Sequence, residues 1–107
     1  MNNAAEAAQA SAEAAENAKK AYDELLKNRE EYDGLQKNLE GLTRGTQEWR
    51  EALMEANDQV LEMLATYPEL AEYVKTGAYG QLTITDEGWD KAIDAAAENK
   101  RRAAAAA

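Results

Sequence analysis

From Ala4 to Leu42 a small or apolar residue returns every three or four positions, and that spacing commits the first part of the chain to helix. With Ala4 at heptad position a, the a/d series reads Ala4, Ala7, Ser11, Ala14, Ala18, Ala21, Leu25, Asn28, Tyr32, Leu35, Leu39 and Leu42. Only Ser11 and Asn28 interrupt it. The seam is small through Ala21 and then turns to Leu and Tyr. Small seam residues let helices approach closely but bury little, so the amino-terminal half needs a packing partner to stay ordered.

Two readings of this stretch stand side by side. Ten alanines in the first 21 residues suit a solvated helix of high intrinsic propensity. Alternatively the seam is an assembly surface, with Leu25, Tyr32, Leu35, Leu39 and Leu42 as its larger members. Gly34 and Gly41 both fall on position c, away from the seam. An unbroken helix tolerates each at a cost of about 1 kcal/mol, and a break at Gly34 is the other possibility.

Thr43-Arg44-Gly45-Thr46 marks the clearest boundary. Gly45 suits the position just past a helix end, and Thr46 can cap the next helix. From there Trp49, Leu53, Ala56, Val60, Leu64 and Tyr67 form an amphipathic row, with Glu48, Glu51, Glu55, Asp58 and Glu62 opposite. Tyr67-Pro68 ends this helix, and Pro68 fits the first turn of a short one reaching about Lys75. Gly77-Ala78-Tyr79-Gly80 reads as a turn. Gln81–Thr85 alternates polar and apolar and is the sole strand candidate. Its backbone needs Tyr73–Thr76 in a small hairpin, a bridging loop, or another chain. Thr85 then caps a last helix, with Asp86 and Glu87 in its first turn and Lys100, Arg101 and Arg102 suited to its negative end.

The expected fold is therefore all-α: a long Ala-rich helix or coiled-coil segment over 1–44, a small helical unit over 46–102 with at most one short hairpin, and an alanine tail over 103–107. Trp49, Leu53, Val60, Leu64, Tyr67, Leu70, Tyr73, Val74, Leu82, Ile84, Trp89 and Ile93 are its expected core. That core is small. Of the 45% of residues counted as hydrophobic, half are alanine, there is no Phe, and Leu, Ile and Val together number 14. The terminal alanines suggest a continuing helix or a piece of something larger.

The same composition removes whole classes of chemistry. With no His and no Cys there is no imidazole base, thiol nucleophile, Cys/His zinc site or disulfide. A net charge of −9 repels phosphate backbones, and −9 of it lies in residues 46–99, balanced elsewhere by −3 and +3. No run is apolar enough to span a bilayer, and the amino terminus lacks a signal-peptide pattern. The carboxylates sit on the polar faces of helices rather than in a cleft that would raise one pKa. Asp86-Glu87-Gly88-Trp89-Asp90 lacks the spacing of a calcium loop. The glycines lack a phosphate-binding context. Trp49, Trp89, Tyr67 and Tyr73 could stack on bases or sugars, but their helical spacing makes them core anchors. No catalytic residue, cofactor or metal is expected, and the chain reads as a non-enzyme.

Residues 46–90 also carry a resemblance. Glu48-Trp49, Ala52-Leu53, Ala56-Asn57, Val60-Leu61, Leu64, Tyr67-Pro68-Glu69-Leu70, Tyr73-Val74 and Gly80–Gly88 are similar to a segment of the very large tape-measure-type proteins of phage and prophage tails in Gram-positive bacteria. The resemblance implies a structural virion protein within the tail tube, touching tube and tip proteins. Such proteins act as rulers because a helix rises 1.5 Å per residue. They usually run to many hundreds of residues with strongly apolar stretches, and this chain has neither. A fully helical chain of this length would reach only about 160 Å, so the ruler role would belong to a parent protein. No functional residue transfers.

Two functions follow as expectations. The first is a structural assembly module, self-associating or bound to tail proteins. The second is a stand-alone acidic domain, soluble in an undetermined compartment, that recognises a basic partner through Glu51, Glu55, Asp58 and Glu62.

Overall fold

A computed structural model of the chain describes residues 3–106, with side chains over 11–106; the expectations at Ala4, Ala7 and Ala107 lie outside these described side chains. The fold is all-α with one short hairpin. Its elements are α1 (Asn3–Glu40), α2 (Gln47–Thr66), a 3-10 helix (Pro68–Tyr73), β1 (Val74–Thr76), a single 3-10 turn (Ala78–Gly80), β2 (Leu82–Ile84) and α3 (Asp86–Ala106).

Helix α1 runs through Gly34 without a break, since an exposed glycine there costs propensity but no packing. It ends at Glu40, earlier than the expected 44. The N–H of Gly41 is shared between Lys37 O and Asn38 O at 3.2 Å each, and Leu42 N–H bonds Leu39 O, so the last turn tightens and stops. Gly45 has a different job from the expected helix cap. Thr46 N–H bonds Thr43 O, and Gly45 takes the third position of that turn with φ of +89°, where a side chain would be strained. Thr46 then caps α2, its hydroxyl accepting from Trp49 N–H at 3.2 Å. Thr85 caps α3 in the same way through Gly88 N–H.

Helix α3 continues to Ala106, so the alanines at 103–106 form its last turn rather than a separate tail. Lys100, Arg101 and Arg102 are consequently not in the final turn. They find partners nearby instead: Lys100 lies 4.7 Å from the Tyr22 ring centroid, and Arg101 and Arg102 both pair with Glu98.

Chain contacts group Met1–Lys27 with Lys91–Ala107 as one compact unit, and Asn28–Asp90 as a second. The division cuts across the expected boundary at 44–46, because the last turns of α1 pack on the hairpin. In the first unit Ala18, Leu25 and Ala92 are buried. In the second, the core holds Tyr32, Leu39, Ala52, Ala56, Val60, Met63, Leu70, Ile84 and Trp89.

The two strands pair antiparallel, Val74 with Ile84, Lys75 with Thr83 and Thr76 with Leu82. A two-stranded ribbon leaves polar groups on its outer edges. On β2 the helices of the same unit satisfy them with side chains. Leu82 N–H donates to Asn57 Oδ1 at 2.9 Å, and Leu82 O accepts from Gln36 Nε2 at 3.4 Å. The Tyr32 hydroxyl accepts from Ile84 N–H at 2.9 Å and donates to Ile84 O at 3.3 Å. Three side chains thus stand in for a third strand.

Gly88 explains how closely the first turn of α3 approaches this hairpin. A Cβ there would lie 2.5 Å from Tyr73 Cβ and 3.3 Å from Ile84 Cγ2. Gly88→Ala would gain up to about 1 kcal/mol at an open helix position. Here overpacking is expected to reverse the sign, with a loss of about 1–3 kcal/mol in urea unfolding. A stabilised variant would show that α3 is not held this tightly.

Candidate functional site

The expected seam residues are largely covered by the chain itself. Leu25, Tyr32 and Leu39 are buried, while Leu35 and Leu42 are half-buried. The seam therefore does not present a continuous open surface. Its physical reason is visible for Tyr32, which packs on Trp89 with ring centroids 5.3 Å apart and bonds to Ile84. Arg29 closes the same cluster: its guanidinium lies 5.4 Å from the Trp89 ring and pairs with Asp86 at 3.0 Å and Asp33 at 3.3 Å. Burial works against the Arg29 charge, but the Asp86 and Asp33 carboxylates outweigh it and raise its pKa above the ordinary arginine value. Asp86 thus serves an ion pair in the first turn of α3.

The second candidate, the acidic row of α2, stands open. Glu51, Glu55, Asp58 and Glu62 are all exposed, and none is paired with a basic side chain among the described residues. The sole base in α2, Arg50, turns back to donate to Gly45 O at 2.8 Å. The buried row is Ala52, Ala56, Gln59, Val60 and Met63. Ala56 and Val60 of the expected row are buried, but the buried stripe is turned toward Ala52, Gln59 and Met63, leaving Trp49, Leu53, Leu64 and Tyr67 only half-buried. The rotation brings up two residues that sequence reasoning passed over. Met54 is 66% exposed and Leu61 53%, two turns apart beside the acidic row. Their seven-residue spacing was the available signal.

A third feature lies where the end of α1, the start of α2 and the hairpin turn converge. A cavity of about 430 Å³ is lined by Leu39, Glu40, Leu42, Arg44, Trp49, Ala78, Tyr79 and Gln81. Trp49, expected in the core, is a half-buried wall of this cavity. Among the described residues no group of three His, Cys, Asp or Glu could hold a metal ion, and no helix is long and apolar enough to cross a membrane. Comparison with protein-family models, curated proteins and solved structures finds no match to this chain.

Proposed function

We propose that the chain is a non-catalytic structural and assembly module that docks a basic protein partner on the outward face of α2. The observation that carries this reading is the face itself. Met54 and Leu61 are exposed next to four carboxylates with no basic partner among the described residues, so apolar contact and long-range attraction are offered together. A second copy would bring acid against acid, and nucleic acid or an anionic membrane would be repelled.

The resemblance over residues 46–90 supplies the setting we favour, a segment of a tape-measure-type tail protein, with tube or tip proteins as partners in the virion. A stand-alone acidic helical domain would use the same face, and the genomic neighbourhood of its reading frame separates the two settings.

The docking reading is tested with a synthetic amphipathic helix bearing Lys and Arg beside a Leu stripe. Association should weaken about tenfold or more between low and high salt, because exposed charges are screened beyond a Debye length. Neutralising Glu51, Glu55, Asp58 and Glu62 to their amides should flatten that salt dependence. Replacing Met54 and Leu61 by Ser should weaken binding at every salt concentration. No binding at low salt, or binding indifferent to both sets of changes, overturns the proposal.

A further inference from the structure

The corner made by Trp49 and Tyr79 already holds a guanidinium, and it is the chain's own. Arg44 Cζ lies 4.4 Å from the Tyr79 ring centroid, and its Nη1 donates to the Tyr79 hydroxyl at 3.1 Å. Trp49 meets the same ring at 88°, with centroids 6.0 Å apart. The adjoining cavity adds Leu39 and Leu42 as apolar wall and Glu40 as a carboxylate with no basic partner among the described residues.

The backbone at Tyr79 makes the corner harder to dismiss as packing. Tyr79 is the one non-glycine among the described residues with positive φ, at 65° and ψ 16°. That conformation costs about 1–2 kcal/mol for a side chain with a Cβ, and Gly would adopt it freely. In return the ring buries little, being 61% exposed. Strain held at an exposed aromatic is characteristic of ligand-contacting positions.

We propose that this corner binds the arginine side chain of another protein, and that Arg44 is the resident occupant it displaces. Planar guanidinium stacks on aromatic faces, and the corner already accommodates one. The surroundings favour a cation, since residues 28–90 carry five basic and fourteen acidic side chains. Glu40 supplies the counter-charge. Arg44 is exposed, and Gly41 and Gly45 bracket its short linker, so leaving the ring returns it to water with little rearrangement. The site does not depend on the α2 face, and its probe needs no partner protein.

The test is an NMR titration of the full chain, following the Trp49 indole N–H, which Trp49→Phe identifies by its loss. N-acetyl-arginine methylamide should shift that signal saturably. The matching lysine compound and guanidinium chloride at equal ionic strength should bind more weakly, separating a peptide arginine from general cation attraction and from the free ion. Glu40→Gln should weaken the arginine probe about two- to fivefold, and Arg44→Ala should tighten it by a similar factor. Both residues are exposed, so neither change threatens the fold. Equal shifts with all three compounds, no saturable shift in either the wild type or Arg44→Ala, or affinity unmoved by both substitutions overturns the assignment. Loss of the salt-dependent association on α2 would leave this result standing.

Discussion

Trp89→Ala is expected to cost about 3–5 kcal/mol, enough to unfold a large share of molecules in a domain this small. The indole is fully buried, against the Tyr32 ring on one side and with the Arg29 guanidinium above it. Removing it leaves a cavity, exposes one face of Tyr32 and withdraws the surface on which Arg29 lies. The Arg29 pairs with Asp33 and Asp86 would then have to hold without that support, and exposed ion pairs contribute little alone. Trp89→Phe should cost much less than the difference in ring size suggests. The indole Nε1 is buried without a hydrogen-bond partner, so an unsatisfied donor leaves with it. Urea unfolding followed by far-UV circular dichroism measures both. A loss under about 1 kcal/mol for Trp89→Ala would show that this indole is not the centre of the second unit.

The elements of this fold were readable where the determining chemistry is local. Thr46 and Thr85 cap helices, Pro68 starts a 3-10 turn, and Val74–Thr76 meets Leu82–Ile84, each for reasons contained within a few residues. The rotational setting of α2 was not readable. Its sequence carries two overlapping apolar rows that share Ala56 and Val60, one adding Trp49, Leu53 and Leu64 and the other adding Ala52 and Met63. Helical periodicity alone cannot choose between them. The structure buries the row that includes Gln59, whose Nε2 donates to Asn28 O, and no hydrophobic pattern anticipates a buried amide. The outward face of α2, and with it Met54 and Leu61, follows from that choice. The Tyr79 corner was hidden differently. Between two glycines, an aromatic was not the expected bearer of positive φ, and Arg44 reaches it across 35 residues.

Tyr32→Phe is the sharper test of how the hairpin is held, with an expected loss of about 2–4 kcal/mol for deleting one oxygen. Tyr32 was legible as a seam residue, but its partner is 52 residues away. The hydroxyl both accepts from and donates to the backbone of Ile84, so its removal strands two polar groups on a buried strand edge. A typical single hydrogen bond would be worth about 1 kcal/mol, and the excess measures the edge left unpaired. Alkaline pH supplies an independent check. Burial pushes the Tyr32 pKa up, against the opposing pull of the Ile84 hydrogen bond, so the fold prefers the neutral phenol. Its contribution is complete below the ordinary tyrosine range and is lost as pH climbs through the raised value, since the unfolded chain ionises first. The stability gap between wild type and Tyr32→Phe should therefore narrow above about pH 10. A gap that is small at neutral pH and constant on the alkaline side would mean that β2 keeps its edge satisfied without this residue.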